Sequence, residues 1–392
     1  MTATSVLADV EALLLALLAV DTAVPDGETE VAPGDPRMIR AVDEVLMPLV
    51  DELAPDEVRR HADGEVAARF GPAGDDGLLV QTYVVSQHGN LMRDAHRPRI
   101  VDGAPLGLFG PTAVGQGANQ NKGPMAAALR ALATRPAGLA RPVWLTFSLE
   151  GRSSHGGSRR LLDDLEVRAA AGVVCIGTDL AVSVANRGRA DVVVEVAGAS
   201  AHSSQPWLGR NPLEGVADVI TALRTLPLPA AHPDLGGVTA TPFRVEAWPV
   251  APHTLPAGAR VVVDRRLLPG EDPSAAVTQV RDHLAHRLGD RAGDVAVSAG
   301  EVMLPAQVDP ASPLVVALLD GLRAAGVAEP RTITSKNTFD AGWACHRGIP
   351  TAMFGPGRRH FDAGVTATEA VALQDCEDAA TALRHAMEAL CC

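Results

Sequence analysis

Gly115-Gln116-Gly117-Ala118-Asn119-Gln120-Asn121-Lys122-Gly123-Pro124 is a glycine-rich loop between a strand-like run, Leu78 to Gln87, and an alanine-rich helical segment, Pro124 to Thr134. Strand, loop and helix in that order are the building unit of an α/β fold. The polar residues of the loop are neutral amides and one lysine, with no carboxylate among them. Lys122 and Asn121 beside the start of a helix are candidates to hold an anionic substrate group, because a helix N-terminus presents unpaired N–H groups. Gly115-x-Gly117 is not a dinucleotide-binding fingerprint, since the third glycine and the downstream acidic residue are not placed for one.

Outward from the loop, the periodicity keeps alternating. Ile39, Val42, Leu46, Val50 and Leu53 repeat at helical spacing, with Pro48 expected to bend that helix. Leu78 to Val85 and Val143 to Phe147 read as buried strands, and the first and last parts of the chain are expected to share one mixed sheet. Between them, Asp191 to Val196 and Arg260 to Val263 are β-rich, with helical segments from Pro212 to Leu226 and from Pro273 to Leu288.

The loop resembles the Gly-Arg-Gly-x-Ser/Thr-Asp-x-Lys-Gly segment of the dinuclear zinc peptidases that include aminoacylase, acetylornithine deacetylase and glutamate carboxypeptidase. In that family the Asp bridges two metal ions; Gln120 stands there, and a neutral amide brings no charge to offset two dications. Upstream, Val84 to Gln87 and then His88-Gly89-Asn90 are similar to the strand ending in His-x-Asp, with Asn90 in place of the carboxylate that supports the ligand His. Thr146 to Ser158 is similar to the strand and turn that carry the catalytic Glu and an adjacent ligand Glu, and those two positions fall on Ser153 and Ser154. Glu150 matches a flanking acidic residue that the family does not use as a ligand.

Ile176-Gly177-Thr178-Asp179 resembles the segment with a further acidic ligand, although the spacing to Arg187-Gly188 is shorter than the family's. After Phe354-Gly355-Pro356-Gly357 the last ligand position falls on Val365, with His360 five residues earlier. A protein-held zinc takes three or four His, Cys, Asp or Glu ligands. The expectation is therefore no metal of the family's kind, and no other cofactor.

The non-metal landmarks are kept. Ala199-Ser200-Ala201-His202-Ser203-Ser204-Gln205-Pro206 resembles the segment whose His reaches the neighbouring subunit's active site and stabilises an oxyanion. Gly209 to Pro212, Asp264 to Gly270, Asp340-Ala341 and Arg347 to Thr351 fit as well. The resemblance implies an α/β fold: a mixed-sheet catalytic domain flanked by helices, residues 1–185 and 299–392, with an inserted α+β lid and dimerisation domain at about 186–298. It also implies a homodimer through the lid domain.

Bulk properties exclude several classes. At 392 residues, with 47% hydrophobic and 21% charged, the chain is an ordinary globular sequence long enough for two cores. A formal charge of −13 without a long basic cluster and only 3% aromatic residues argue against a nucleic-acid partner. Asp9 and Glu11 precede the short apolar stretch Ala12 to Val20, which reads as a first core helix rather than a leader or membrane span. Five cysteines without a Cys-x-x-Cys pair fit a cytoplasmic protein with reduced thiols, and the terminal pair Cys391-Cys392 is expected to fray. A small-molecule or peptide substrate is the expected partner.

Each candidate residue has a plainer rival role. His202 is the first choice for catalysis or substrate contact, against a satisfied loop histidine. His88 is a candidate ligand or acid/base group, against a backbone-bonded strand end. Ser153, Ser154 and His155, with Glu150 to orient the imidazole, have the makings of a serine nucleophile and base, but neighbours in a turn usually point apart. Asn211, Arg266, Lys122, Asn121, Gln120, Asn90, Lys336, Asn337 and His360 are the candidate substrate contacts, against a solvated surface or structural role.

Three functional readings follow. The first is a metal-independent enzyme acting on an amide, peptide or acyl amino-acid derivative, by acyl transfer, condensation, cyclisation or hydrolysis. Losing metals and base together favours an already activated substrate, because positioning and oxyanion stabilisation can still supply much of a rate enhancement. The second is a non-catalytic binding relative, and the third a zinc amidohydrolase with a rearranged site using His88, Glu150, Asp179 and His360.

Overall fold

The computed structural model describes residues 5–26, 28, 30–86, 92–149, 154–358 and 368–392. Its strands are β1 (Glu57–Arg60), β2 (Val66–Phe70), β3 (Leu78–Tyr83), β4 (Arg99–Asp102), β5 (Pro111–Val114), β6 (Val143–Ser148), β7 (Ala171–Cys175), β8 (Val182–Asn186), β9 (Gly188–Ala197), β10 (Ala240–Trp248), β11 (Gly258–Leu267), β12 (Val295–Met303), β13 (Ala306–Gln307), β14 (Thr332–Ser335), β15 (Thr351–Phe354) and β16 (Ala370–Ala372). The helices are α1 (Val10–Leu18), α2 (Pro36–Ala41), α3 (Met47–Glu52), α4 (Gly123–Ala133), α5 (Gly156–Arg159), α6 (Pro212–Leu223), α7 (Pro273–Leu288), α8 (Pro313–Ala324), α9 (Ala341–His346) and α10 (Leu373–Cys391). The fold is mixed α/β, as the alternating periodicity requires.

The chain divides into two compact units. One comprises residues 1–185, 306–334 and 339–392; the other comprises 186–305 and 335–338.

The first unit is built on a nine-stranded sheet in the order β1-β2-β6-β3-β7-β15-β8-β13, with β14 beside β8. At its centre β6, β3, β7 and β15 run parallel. Every residue of β3 and β6 is buried, which is why these strands read as continuous runs rather than alternations. Leu78 and Val80 face the cluster that includes α4 and α10, whereas Leu79 and Trp144 pack on the opposite face with Leu161, Leu162 and Ala344.

The winding reverses at this centre. The chain leaves β3 for β6 on one side through α4, then leaves β6 through α5 for β7 on the other side of β3. The carboxyl ends of β3 and β7, at Tyr83 and Cys175, thus flank a topological switch point, where open α/β sheets bind their ligands.

The second unit is an antiparallel sheet in the order β10-β11-β9-β12. Val192, Val194, Val196, Val261 and Val263 pack on one face against Val219, Val280 and Leu284 of α6 and α7. Both helices start as their sequences dictate: Asn211 and Asp272 accept the N–H of Leu213 and Ser274, and a proline opens each first turn.

Three local expectations are corrected. The strand-like run from Leu78 ends at Tyr83 rather than Gln87, which lies outside the described residues. The irregularity expected at Pro48 lies before it, in a π turn over Val42–Leu46, whose wider hydrogen bonding relieves the clash of the proline ring with the preceding turn. Cys391 does not fray: its side chain is fully buried, its carbonyl accepts the N–H groups of Ala140 and Arg141, and its Sγ reaches Pro142 O.

Candidate active site

The loop 115–122 is folded as a left-handed Gly117 followed by a π turn, Ala118–Lys122, that leads into α4. A Cβ on Gly117 would stand 2.6 Å from Asn121 Oδ1, so only glycine fits. The loop is tied down at the switch point. Gly177 N–H donates to Gln120 O at 3.1 Å, and Gly117 N–H donates to Glu369 Oε2 at 3.0 Å.

Asn121 and Lys122 turn inward, contrary to the expected anion cradle at the helix start. Asn121 Nδ2 donates to the carbonyls of Tyr83, Val84 and Val85, which fixes the chain as it leaves β3. Lys122 Nζ donates to Val20 O at 2.6 Å inside a small cavity lined by Leu17, Val45, Leu46, Val84 and Met125. Burial in that apolar lining lowers its amine from the ordinary 10.5 to about 8, against the opposing pull of Asp21 and Glu369.

On the other face of the sheet lies a buried polar cluster that local sequence does not announce. Gln81 Nε2 donates to Ser158 Oγ at 2.6 Å, and Ser158 Oγ donates to Asp340 Oδ1 at 2.9 Å. His155 Nδ1 stands 3.4 Å from the same oxygen, and its ring lies against Trp343 with centroids 5.8 Å apart. Asp340 N–H donates to the Tyr83 hydroxyl at 3.3 Å. Burial, and then the charge of Asp340, raises the Tyr83 phenol well above its ordinary value.

Asp340 is fully buried, and its Oδ2 has no hydrogen-bond partner among the described residues. His155 therefore has a carboxylate beside it, but it is Asp340, 185 positions away in sequence. Glu150, expected to orient the imidazole, lies outside the described residues, as do His88, Asn90, Ser153, His360 and Val365. Ser154 Oγ accepts the Gly156 N–H at 3.2 Å, an arrangement that closes the turn into α5. The pairing of His155 with Asp340 was not legible because each lies at a helix start with no local motif joining them.

In the second unit, His202 is exposed and bridges Thr254, with the His253 ring 6.2 Å away. Ser204 N–H donates to His202 Nδ1 at 3.2 Å, and Ser204 Oγ lies 2.8 Å from the same nitrogen. A backbone N–H can only donate, so the ring proton of neutral His202 sits on Nε2, which is thereby a hydrogen-bond donor. Asn211 is engaged as the α6 cap, Arg266 pairs with Asp264 at 2.8 Å, and Lys336 and Asn337 are exposed.

Residues 184–292 match the peptidase dimerisation domain of the M20 peptidases. A succinyl-diaminopimelate desuccinylase of Acidiphilium cryptum is 28% identical over 306 residues, 74% of this chain and 77% of that protein. The chain resembles the M20 peptidases. Among solved structures, an M20 family metallo-carboxypeptidase of Sulfolobus solfataricus superposes with a TM-score of 0.70 at 16% identity, covering 97% of this chain and 99% of that one. Human carnosine dipeptidase 1 gives 0.72 at 15% identity, covering 97% and 95%. These likenesses show the M20 fold, and the named relatives are peptidases and hydrolases.

Among the described residues, the donor groups at the positions that the resemblance aligns with metal ligands fit paired metals poorly. Gln120, which the resemblance aligns with the bridging carboxylate, carries a neutral amide, and Asp179, in a left-handed conformation, is paired with Arg331 at 3.2 Å. Among the described residues no three His, Cys, Asp or Glu side chains stand close enough to hold a metal ion. Nor is any described helix long and apolar enough to cross a membrane.

Proposed function

We propose that the protein is an enzyme of amide, peptide or acyl amino-acid chemistry that works without the paired metals of the M20 metallopeptidases. The observation that carries this reading is the donor set itself: an uncharged Gln120 at the position the resemblance aligns with the bridging carboxylate, and an Asp179 paired with Arg331. The named relatives support the substrate class, since they are peptidases and hydrolases, one of them a desuccinylase.

Without a metal to polarise a carbonyl or activate water, the reaction best served is acyl transfer, condensation, cyclisation or hydrolysis of an activated acyl group. His202, with its Nε2–H donor, is the proposed partner of a substrate carbonyl oxygen. The matched dimerisation segment supports a homodimer through the second unit.

The test is turnover of chelator-treated protein against a panel of N-acyl amino acids, their activated esters and dipeptides. Conversion that survives chelation and disappears in His202→Ala with the fold intact supports the reading. Conversion that requires added zinc contradicts it, and tight binding across the panel without any conversion makes the chain a binding protein.

A further inference from the structure

The cluster around Asp340 contains more than a structural tie needs. Tethering α5 and α9 to β3 is accomplished by Gln81, Ser158 and one carboxylate oxygen. Among the described residues the second oxygen of this fully buried carboxylate has no partner, and an unpaired buried carboxylate oxygen carries a desolvation cost that a purely structural role would avoid by pairing it. The cluster also sits where the winding of the sheet reverses, beside the carboxyl ends of β3 and β7.

Resting on the metal-free reading above, we propose that His155, positioned by Asp340, is the proton-transfer group of the reaction. With Nδ1–H directed at Asp340 Oδ1, the neutral imidazole carries its basic lone pair on Nε2. Asp340 also stabilises the imidazolium once it forms, and Ser158, itself held by Gln81, fixes the carboxylate from the side. The 3.4 Å separation is long for a hydrogen bond, in the manner of catalytic contacts that tighten when substrate binds.

In the step, an acceptor H–Nu, water or an amine or alcohol, adds to the carbonyl of an activated ester RCO–X. The Nu–C bond forms as Nε2 takes the proton of H–Nu. The C–X bond then breaks as the imidazolium returns that proton to X, giving RCO–Nu and HX. No electrons are gained or lost, and no further reactant is needed.

The probe is p-nitrophenyl acetate, applied to metal-free protein, with nitrogen NMR of the 15N-labelled imidazole as a readout that needs no substrate. We expect His155→Gln to lower kcat by about 100-fold or more with little change in KM. Asp340→Asn should lower kcat by about tenfold or more and shift the His155 signature from Nδ1–H toward Nε2–H. A mere loss of packing would not produce that tautomer change.

An Nε2–H tautomer in the unaltered protein overturns the inference even if the variants fail to fold. Metal-free turnover that persists in His155→Gln overturns the inference alone, leaving the metal-free reading standing. Turnover that appears only with zinc overturns both.

Discussion

Asp340 Oδ1 is shared between the Ser158 hydroxyl at 2.9 Å and His155 Nδ1 at 3.4 Å, while Oδ2 of the same buried carboxylate has no hydrogen-bond partner among the described residues. One half of the group is anchored, and among the described residues the other half is unpaired.

Ser158→Ala tests the anchored half. Losing the hydroxyl removes one hydrogen bond to Asp340 and leaves the buried Gln81 amide unsatisfied, so unfolding in urea should come earlier by about 1–3 kcal/mol. An unchanged midpoint would mean that the cluster contributes nothing to stability.

Lys122 gives a pH-dependent prediction. The folded chain releases this proton near pH 8 and the unfolded chain holds it to about 10.5, so between those values the unfolded state binds more protons and stability rises with pH. Relative to Lys122→Met, the unaltered protein should gain about 2 kcal/mol between pH 7 and pH 10. Parallel denaturation curves for the two proteins at both pH values would show that the amine is not desolvated.

Gly357 has φ +99°, and a Cβ there would stand 2.1 Å from Asn119 O, the same carbonyl that crowds Gly177. Gly357→Ala should cost more than about 2 kcal/mol, because both the backbone conformation and the space are denied. The midpoint of urea unfolding reads this directly, and a loss below half that size would mean that the loop around Asn119 yields.

The β10 edge tests the homodimer. Phe243 and Val245 are 55% and 49% exposed on this strand. Phe243→Lys with Val245→Lys should convert a dimer to a monomer in light scattering while the circular dichroism spectrum stays the same. A persistent dimer would place the interface elsewhere.

What the sequence disclosed was what local chemistry controls. Buried apolar runs marked β3 and β6, and Asn211-Pro212 and Asp272-Pro273 marked the starts of α6 and α7. The inward turn of Asn121 and Lys122 was hidden, because the same residues at a helix start suit an anion equally well and only the carbonyls leaving β3 and α1 decide between the two. Asp340 was visible as part of a resemblance, but its partnership with His155 is a tertiary contact that no spacing encodes.

The proposed metal-free chemistry stands or falls with the anionic donor set for two cations. Its most direct test is zinc content by mass spectrometry of protein purified without chelators, followed by dialysis against zinc and remeasurement. Far less than one zinc per chain is expected both times. Two zinc ions retained per chain, with turnover that follows their removal and return, would contradict it.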